Sequence, residues 1–167
     1  MVVNKKLLHQ HILQALVDVK IAAFKSAQTA HDNATHTENV ADNKYDTLAL
    51  EEAYLAFGQT QRVLQCDEDI ETFKALNIID FEEDDEIKIG ALIELEDQKS
   101  KNISVYFLSP CCGGVKLKID EMHITLITAT APLGKLLLGK QVDDEICLNV
   151  ESAIQSNPQR LSILNIY

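Results

Sequence analysis

Thr130-Ala131-Pro132-Leu133-Gly134-Lys135-Leu136-Leu137-Leu138-Gly139-Lys140 follows an alternating apolar segment and runs into the acidic turn Asp143-Asp144-Glu145. In physical terms the stretch predicts a strand ending, a short helix near Pro132 to Leu138 and a strand beginning. Pro132 suits the first helical position, where its missing N–H costs nothing, and Gly139 suits a left-handed residue closing the helix.

Around this stretch, the C-terminal half reads as a small mixed sheet. Residues 87–95, 104–108, 115–119, 124–128, 145–150 and 161–166 are short segments rich in β-branched residues and bounded by turn residues. Asp120-Glu121 predicts a tight hairpin between two of them, and Pro110, Gly113 and Gly114 mark a loop that holds Cys111 and Cys112. One helix over one face of such a sheet gives an α+β domain.

The N-terminal half reads differently. Leu8, Ile12, Ala15, Val19, Ala22, Ser26 and Thr29 recur at alternating steps of four and three, as do Leu50, Tyr54, Phe57, Gln61 and Leu64. That spacing predicts the seam of a coiled coil, and two seams joined by a short polar stretch predict an antiparallel helical hairpin. The turn is expected near Ala30 to Thr35, with Thr35 and Glu38 forming a capping box at the start of the second helix. The expected organisation is a hairpin over 1–76, an acidic linker over 77–86 and an α+β domain over 87–167.

Charge follows the same division. The formal net charge is -11, yet residues 1–66 carry six bases against seven acids, leaving -10 for the rest. Between Asp67 and Glu86 stand ten acids and one base, which argues against independent DNA binding and for a solvated connector. At 167 residues and 46% apolar content the chain can bury a real core. No apolar run approaches the roughly 20 residues of a membrane span, and Met1 to Lys6 lead into an amphipathic pattern and not the apolar stretch expected of a signal peptide. Cytoplasmic localisation and no membrane partner are the expectation. The four cysteines lack C-x-x-C spacing and read as structural, and of the scattered histidines only His36 lies near a carboxylate cluster.

That cluster is at the expected hairpin tip, where Glu38, Asp42 and Asp46 are spaced i, i+4, i+8 along one helix face. Like charges at that spacing cost a few tenths of a kcal/mol each. One explanation is capping and dipole compensation at a helix start; the other is a carboxylate group that holds Mg²⁺, a hard cation preferring oxygen ligands.

The pattern P-L-G-x-x-L-L-G-K-x-V-x-D-E over 132–145 resembles the C-terminal domain of the bacterial Gre transcript-cleavage factors. Asn39-Val40-Ala41-Asp42-Asn43-Lys44-Tyr45 is similar to that family's hairpin tip. The resemblance covers nearly the whole chain. It implies an antiparallel coiled-coil hairpin followed by an FKBP-like mixed-sheet domain, with RNA polymerase as partner and no active site of its own. It further implies that the hairpin enters the polymerase secondary channel near nascent RNA, with tip carboxylates helping to position a second Mg²⁺ shared with the polymerase. Carried over by residue, Glu38 and Asp42 become the metal-positioning candidates, and Asn43, Tyr45, Pro132, Leu133 and Gly134 the polymerase-binding ones. Asp42 falls on the family's Glu, but the family's Asp position holds Asn39, which lacks the charge that stabilises a second ion. Two versions follow, a cleavage stimulator and a regulator that occludes the channel. From the FKBP-like fold alone comes a different class, a chaperone or peptidyl-prolyl isomerase, and from Cys111-Cys112 a thiol redox sensor.

Overall fold

Strand β1 (Leu92–Asp97) is the axis of the sheet because both of its faces are covered, and Leu92, Ile93 and Leu95 are fully buried. The computed structural model describes residues 4–35, 48–82, 84–148 and 158–167. The remaining strands are β2 (Ile103–Ser109), β3 (Lys116–Ile119), β4 (Met122–Thr128), β5 (Glu145–Leu148) and β6 (Gln159–Ile166). They form one six-stranded sheet in the order β3-β4-β2-β1-β6-β5. All neighbours are antiparallel except β2 and β4, which pair in parallel with Phe107 opposite Leu126. The parallel pair requires a crossover, and the Cys111 to Val115 loop and β3 supply it.

The sequence expectation for the sheet holds, with the difference that β1 begins at Leu92. Residues 87–91 make a turn instead, with Gly90 at φ 100 and a bond from Ala91 N–H to Lys88 C=O. The Asp120-Glu121 hairpin forms with Asp120 at φ 52 and Ile119 opposite Met122. The core joins Ile93, Leu95, Leu108, Leu161, Ile163 and Ile166 of the sheet to Leu137 and Ile87.

Two long helices precede the sheet, α1 (Lys5–Thr35) and α2 (Leu48–Lys74). Asn4 caps α1, its side-chain oxygen accepting the Leu7 N–H at 3.1 Å. The helices run antiparallel, since His9 meets Phe73 at one level and Lys20 bridges Asp67 at 2.5 Å at another. The fold is therefore a helical hairpin followed by an α+β domain.

Two sequence expectations for the helices are corrected. Thr35 is not the N-cap of the second helix: it lies in the last turn of α1, and its hydroxyl donates back to the His31 carbonyl at 3.0 Å. The expected α2 seam is also displaced, for Leu50, Tyr54, Phe57 and Leu64 are exposed. The covered positions of α2 are Glu52, Ala56, Gln59, Val63, Cys66, Ile70 and Phe73, again in steps of four and three. On α1 the seam keeps Leu8, Ile12 and Val19 and continues through Leu16, Ala23, Ala27 and Ala30 in place of Ala22, Ser26 and Thr29. Small residues bring two helix axes close, so alanines hold this seam where bulkier side chains would push the helices apart.

Packing divides the chain into two compact units, one of residues 1–13 and 72–167 and one of residues 14–71. The division falls inside both helices, and the acidic stretch 77–86 belongs to the first unit. Within that unit Phe73 is fully buried, stacked on His9 at 4.6 Å and tilted against Phe107 at 5.9 Å. Phe81 packs against the core, and the Asp84 carbonyl accepts the Gln141 side-chain amide at 2.6 Å.

Candidate functional site

Helix α3 (Pro132–Leu137) grows directly from the end of β4. Pro132 occupies its first turn, the Ala131 N–H donates to Thr128 C=O at 3.0 Å, and the Lys135 N–H opens the helical ladder on Ala131 C=O at 2.9 Å. Gly139 closes it at φ 77, as expected, and donates to Ile87 C=O at 2.9 Å, while Ile87 N–H donates to Lys140 C=O at 2.7 Å. This two-way lock fixes the far end of α3 to the strand of chain that enters the sheet.

Gly134 faces inward. A Cβ placed on it would lie 2.0 Å from the Thr128 carbonyl oxygen, so only glycine lets the helix approach the strand this closely. Leu137 is fully buried and Leu133 and Leu136 pack against the core. The outward row is Pro132, Lys135 and Leu138, spaced at three and three, with Leu138 half exposed. Of the three residues expected here, Pro132 alone is exposed; Leu133 is half-buried and Gly134 is buried. Lys135 and Leu138 complete the surface, and the signal that identifies them is helical spacing from Pro132.

The same strand end supports the cysteine loop. A Cβ on Gly113 would stand 3.3 Å from the Thr128 methyl, and Cys112 adopts φ 57 beside it. All four cysteines are thiols. Cys111 N–H reaches the buried Ser109 hydroxyl at 3.5 Å.

Glu38, Asn39, Asp42, Asn43, Tyr45, Asp46 and His36 lie outside the described residues. On the described part of α2, Glu52 occupies the seam, with one carboxylate oxygen out of water and no hydrogen-bond partner among the described residues.

The aromatics a prolyl isomerase pocket would need are committed elsewhere. Phe107 is buried beside Phe73, Tyr106 packs against the core, and the Tyr167 hydroxyl reaches Glu94 at 3.4 Å, where burial and that carboxylate push its pKa up. Among the described residues no helix is long and apolar enough to cross a membrane.

No protein-family model matches the sequence, and neither does any curated protein. Solved structures do match. GreA factor homolog 1 (Gfh1) of Thermus thermophilus is 21% identical over 93% of this chain and 94% of its own, at a TM-score of 0.38. Gfh1 of Thermus aquaticus is 18% identical over 92% of both chains, at 0.39. The chain is similar to Gre-type factors. A prokaryotic transcription elongation factor GreA/GreB, from Nitrosomonas europaea, is 16% identical over 65% of this chain and 89% of its own, at 0.36.

Proposed function

We propose that this protein is a Gre-type transcription elongation regulator that binds RNA polymerase and acts through its hairpin tip. What carries the reading is the Pro132-Leu133-Gly134 segment: the residues that spell the family motif are the ones whose chemistry the local fold uses, Pro132 starting α3, Gly134 pressed on Thr128 and Gly139 closing the helix. The exposed row Pro132, Lys135 and Leu138 is the contact surface toward the polymerase, while Gly134 and Leu133 hold that row in place. Asn43 and Tyr45 contribute at the tip.

The protein supplies no catalytic centre of its own. Glu38 and Asp42 would hold a Mg²⁺ shared with the polymerase, whose contribution is to activate water and stabilise the leaving oxygen during hydrolysis of backtracked RNA. Asn39 favours the second version, a factor that occupies the channel and slows cleavage, because an uncharged amide replaces one of the paired carboxylates that a hard-cation site requires. The test is to add the protein to stalled, backtracked elongation complexes and follow transcript length with and without Mg²⁺. Shortening identifies a stimulator, suppression of the slow intrinsic shortening an occluding regulator, and no effect at saturation refutes both.

A further inference from the structure

The loop between β2 and β3 holds two adjacent thiols, Cys111 and Cys112, whose surroundings differ from those of the other cysteines. Cys66 is buried in α2, where a thiol serves as a small apolar side chain, and Cys147 is exposed on β5. Cys111 and Cys112 are half-buried and stand outside the apolar core, so they can be reached from solvent.

The loop brings their sulfurs together. Along an extended chain successive side chains point to opposite sides, but Cys112 takes φ 57 and breaks that alternation. The two sulfurs lie within 4.8 Å of each other. Both ends of the loop are pinned. The Cys111 N–H reaches the hydroxyl of fully buried Ser109, the Gly114 N–H donates to Leu126 C=O at 2.8 Å, and the Leu126 N–H donates back to Val115 C=O at 2.8 Å. Between these ends Gly113 rests on Thr128. The pair is therefore held in place before any ligand arrives.

Distance decides what such a pair can do. A disulfide needs sulfurs about 2.05 Å apart and Cα atoms usually about 4.4 Å apart or more, whereas neighbouring Cα atoms across a trans peptide are about 3.8 Å apart. A thiophilic cation asks less: bonds of about 2.3 Å to each thiolate set the sulfurs about 3.8 Å apart at a tetrahedral angle and about 4.6 Å apart in a line. Thiols within 4.8 Å reach that range by side-chain rotation, without the peptide distortion a disulfide demands.

We infer that Cys111 and Cys112 are a two-thiolate chelating site for a soft, thiophilic cation, and that monovalent copper is the ion they suit. Two thiolates leave a structural zinc short of its four ligands, whereas Cu(I) is selected by thiolate and is satisfied by two or three. A third position is open to water or a small thiol. Binding replaces two S–H bonds with two S–Cu bonds and releases two protons, and copper remains monovalent throughout. Capture ties Cys111 to Cys112 and stiffens a loop that leans on Thr128, the residue against which Gly134 of α3 is also pressed.

The full chain, reduced with a phosphine and kept free of oxygen, is titrated into the coloured Cu(I)–bicinchoninate complex, whose bleaching reports copper withdrawn. The wild type is expected to withdraw one equivalent per chain, with a rise in its thermal unfolding midpoint. Cys111→Ser and Cys112→Ser should each weaken capture at least about tenfold, because one remaining thiolate forms no chelate, while Cys147→Ser should leave it unchanged. Far-UV circular dichroism verifies that the variants fold. Absence of bleaching overturns the inference, and so does capture that survives in the double variant Cys111→Ser/Cys112→Ser or is lost in Cys147→Ser. Half an equivalent per chain, with a dimer in sedimentation, would show copper shared between two chains and also overturn it. The titration contains no polymerase, so this inference and the proposed function fail separately.

Discussion

Gly134 and Thr128 are in backbone contact so close that a single added methyl would sit 2.0 Å from the Thr128 carbonyl oxygen. Everything on the exposed side of α3 is placed by that contact. Replacing Gly134 with Ala must push the helix off the strand end, at a cost of about 3 kcal/mol, the upper part of the range for overpacking a tight site. Chemical denaturation should show the loss, and under the proposed function polymerase binding should weaken with it because the outward row moves.

Leu138 separates placement from contact. It is half exposed and outside the core, so Leu138→Ser should leave stability within about 0.5 kcal/mol, as surface changes usually do. Under the proposed function it should still weaken polymerase binding several-fold in a direct titration. Unchanged affinity would remove Leu138 from the contact surface.

Gly58 sits inside α2 with open space where a side chain would go. Gly58→Ala should therefore stabilise the hairpin by roughly 0.5–1 kcal/mol, by removing the backbone freedom glycine retains in the unfolded chain. The midpoint of the helical circular dichroism transition reports it.

The sheet and α3 were legible in the sequence because their signals are local: alternation, a Pro at one helix end, a Gly at the other, and Asp120-Glu121 at a hairpin. The seam of the hairpin was not. Leu50, Tyr54, Phe57 and Leu64 carry the more hydrophobic heptad, yet Ala56, Gln59, Val63 and Cys66 face α1, because closeness of approach favours small side chains and the sequence of one helix does not name its partner's face. Thr35 misled for a similar reason: a hydroxyl that suits an N-cap also bonds back to the i−4 carbonyl, and α1 runs on far enough for it to do so. At the candidate site, Pro132 was readable as the first residue of α3, whereas the burial of Gly134 follows only from its contact with Thr128.

Two titrating groups give pH signatures. Lys5 donates to the Ile79 carbonyl and lies 4.3 Å over the Phe81 ring; burial lowers its pKa to about 8, against an opposing pull from Asp80. The unfolded chain then holds more protons between pH 8 and about 10.5, so stability attributable to Lys5 rises with pH across that window and is flat below it. Urea midpoints for wild type and Lys5→Met should diverge in that window in the wild type's favour.

Asp97 acts in the same direction, with stability rising as the pH rises, but in the acid range. Backbone N–H donation from Ser100, then the Gln159 side-chain amide at 2.7 Å, holds its pKa down to about 2. Its contribution is present above about pH 4 and disappears as the pH falls toward 2. The stability difference between wild type and Asp97→Asn should shrink over that interval; a constant difference would show that the carboxylate charge is not what fixes the turn.

Under the proposed function, the tip separates the two versions. Asn39→Asp restores paired carboxylates with Asp42 and should create or raise transcript cleavage, and Asp42→Asn should then abolish it while polymerase affinity stays within a few-fold. Cleavage unchanged by both substitutions in an active factor would show that these carboxylates hold no metal.

The most direct measurement of the central claim is transcript length in stalled, backtracked elongation complexes as the wild-type protein is titrated to saturation. The account predicts a saturable change, either shortening of the transcript or suppression of its slow intrinsic shortening, with suppression favoured by Asn39. A transcript whose length and rate of shortening are the same with and without the protein would contradict it.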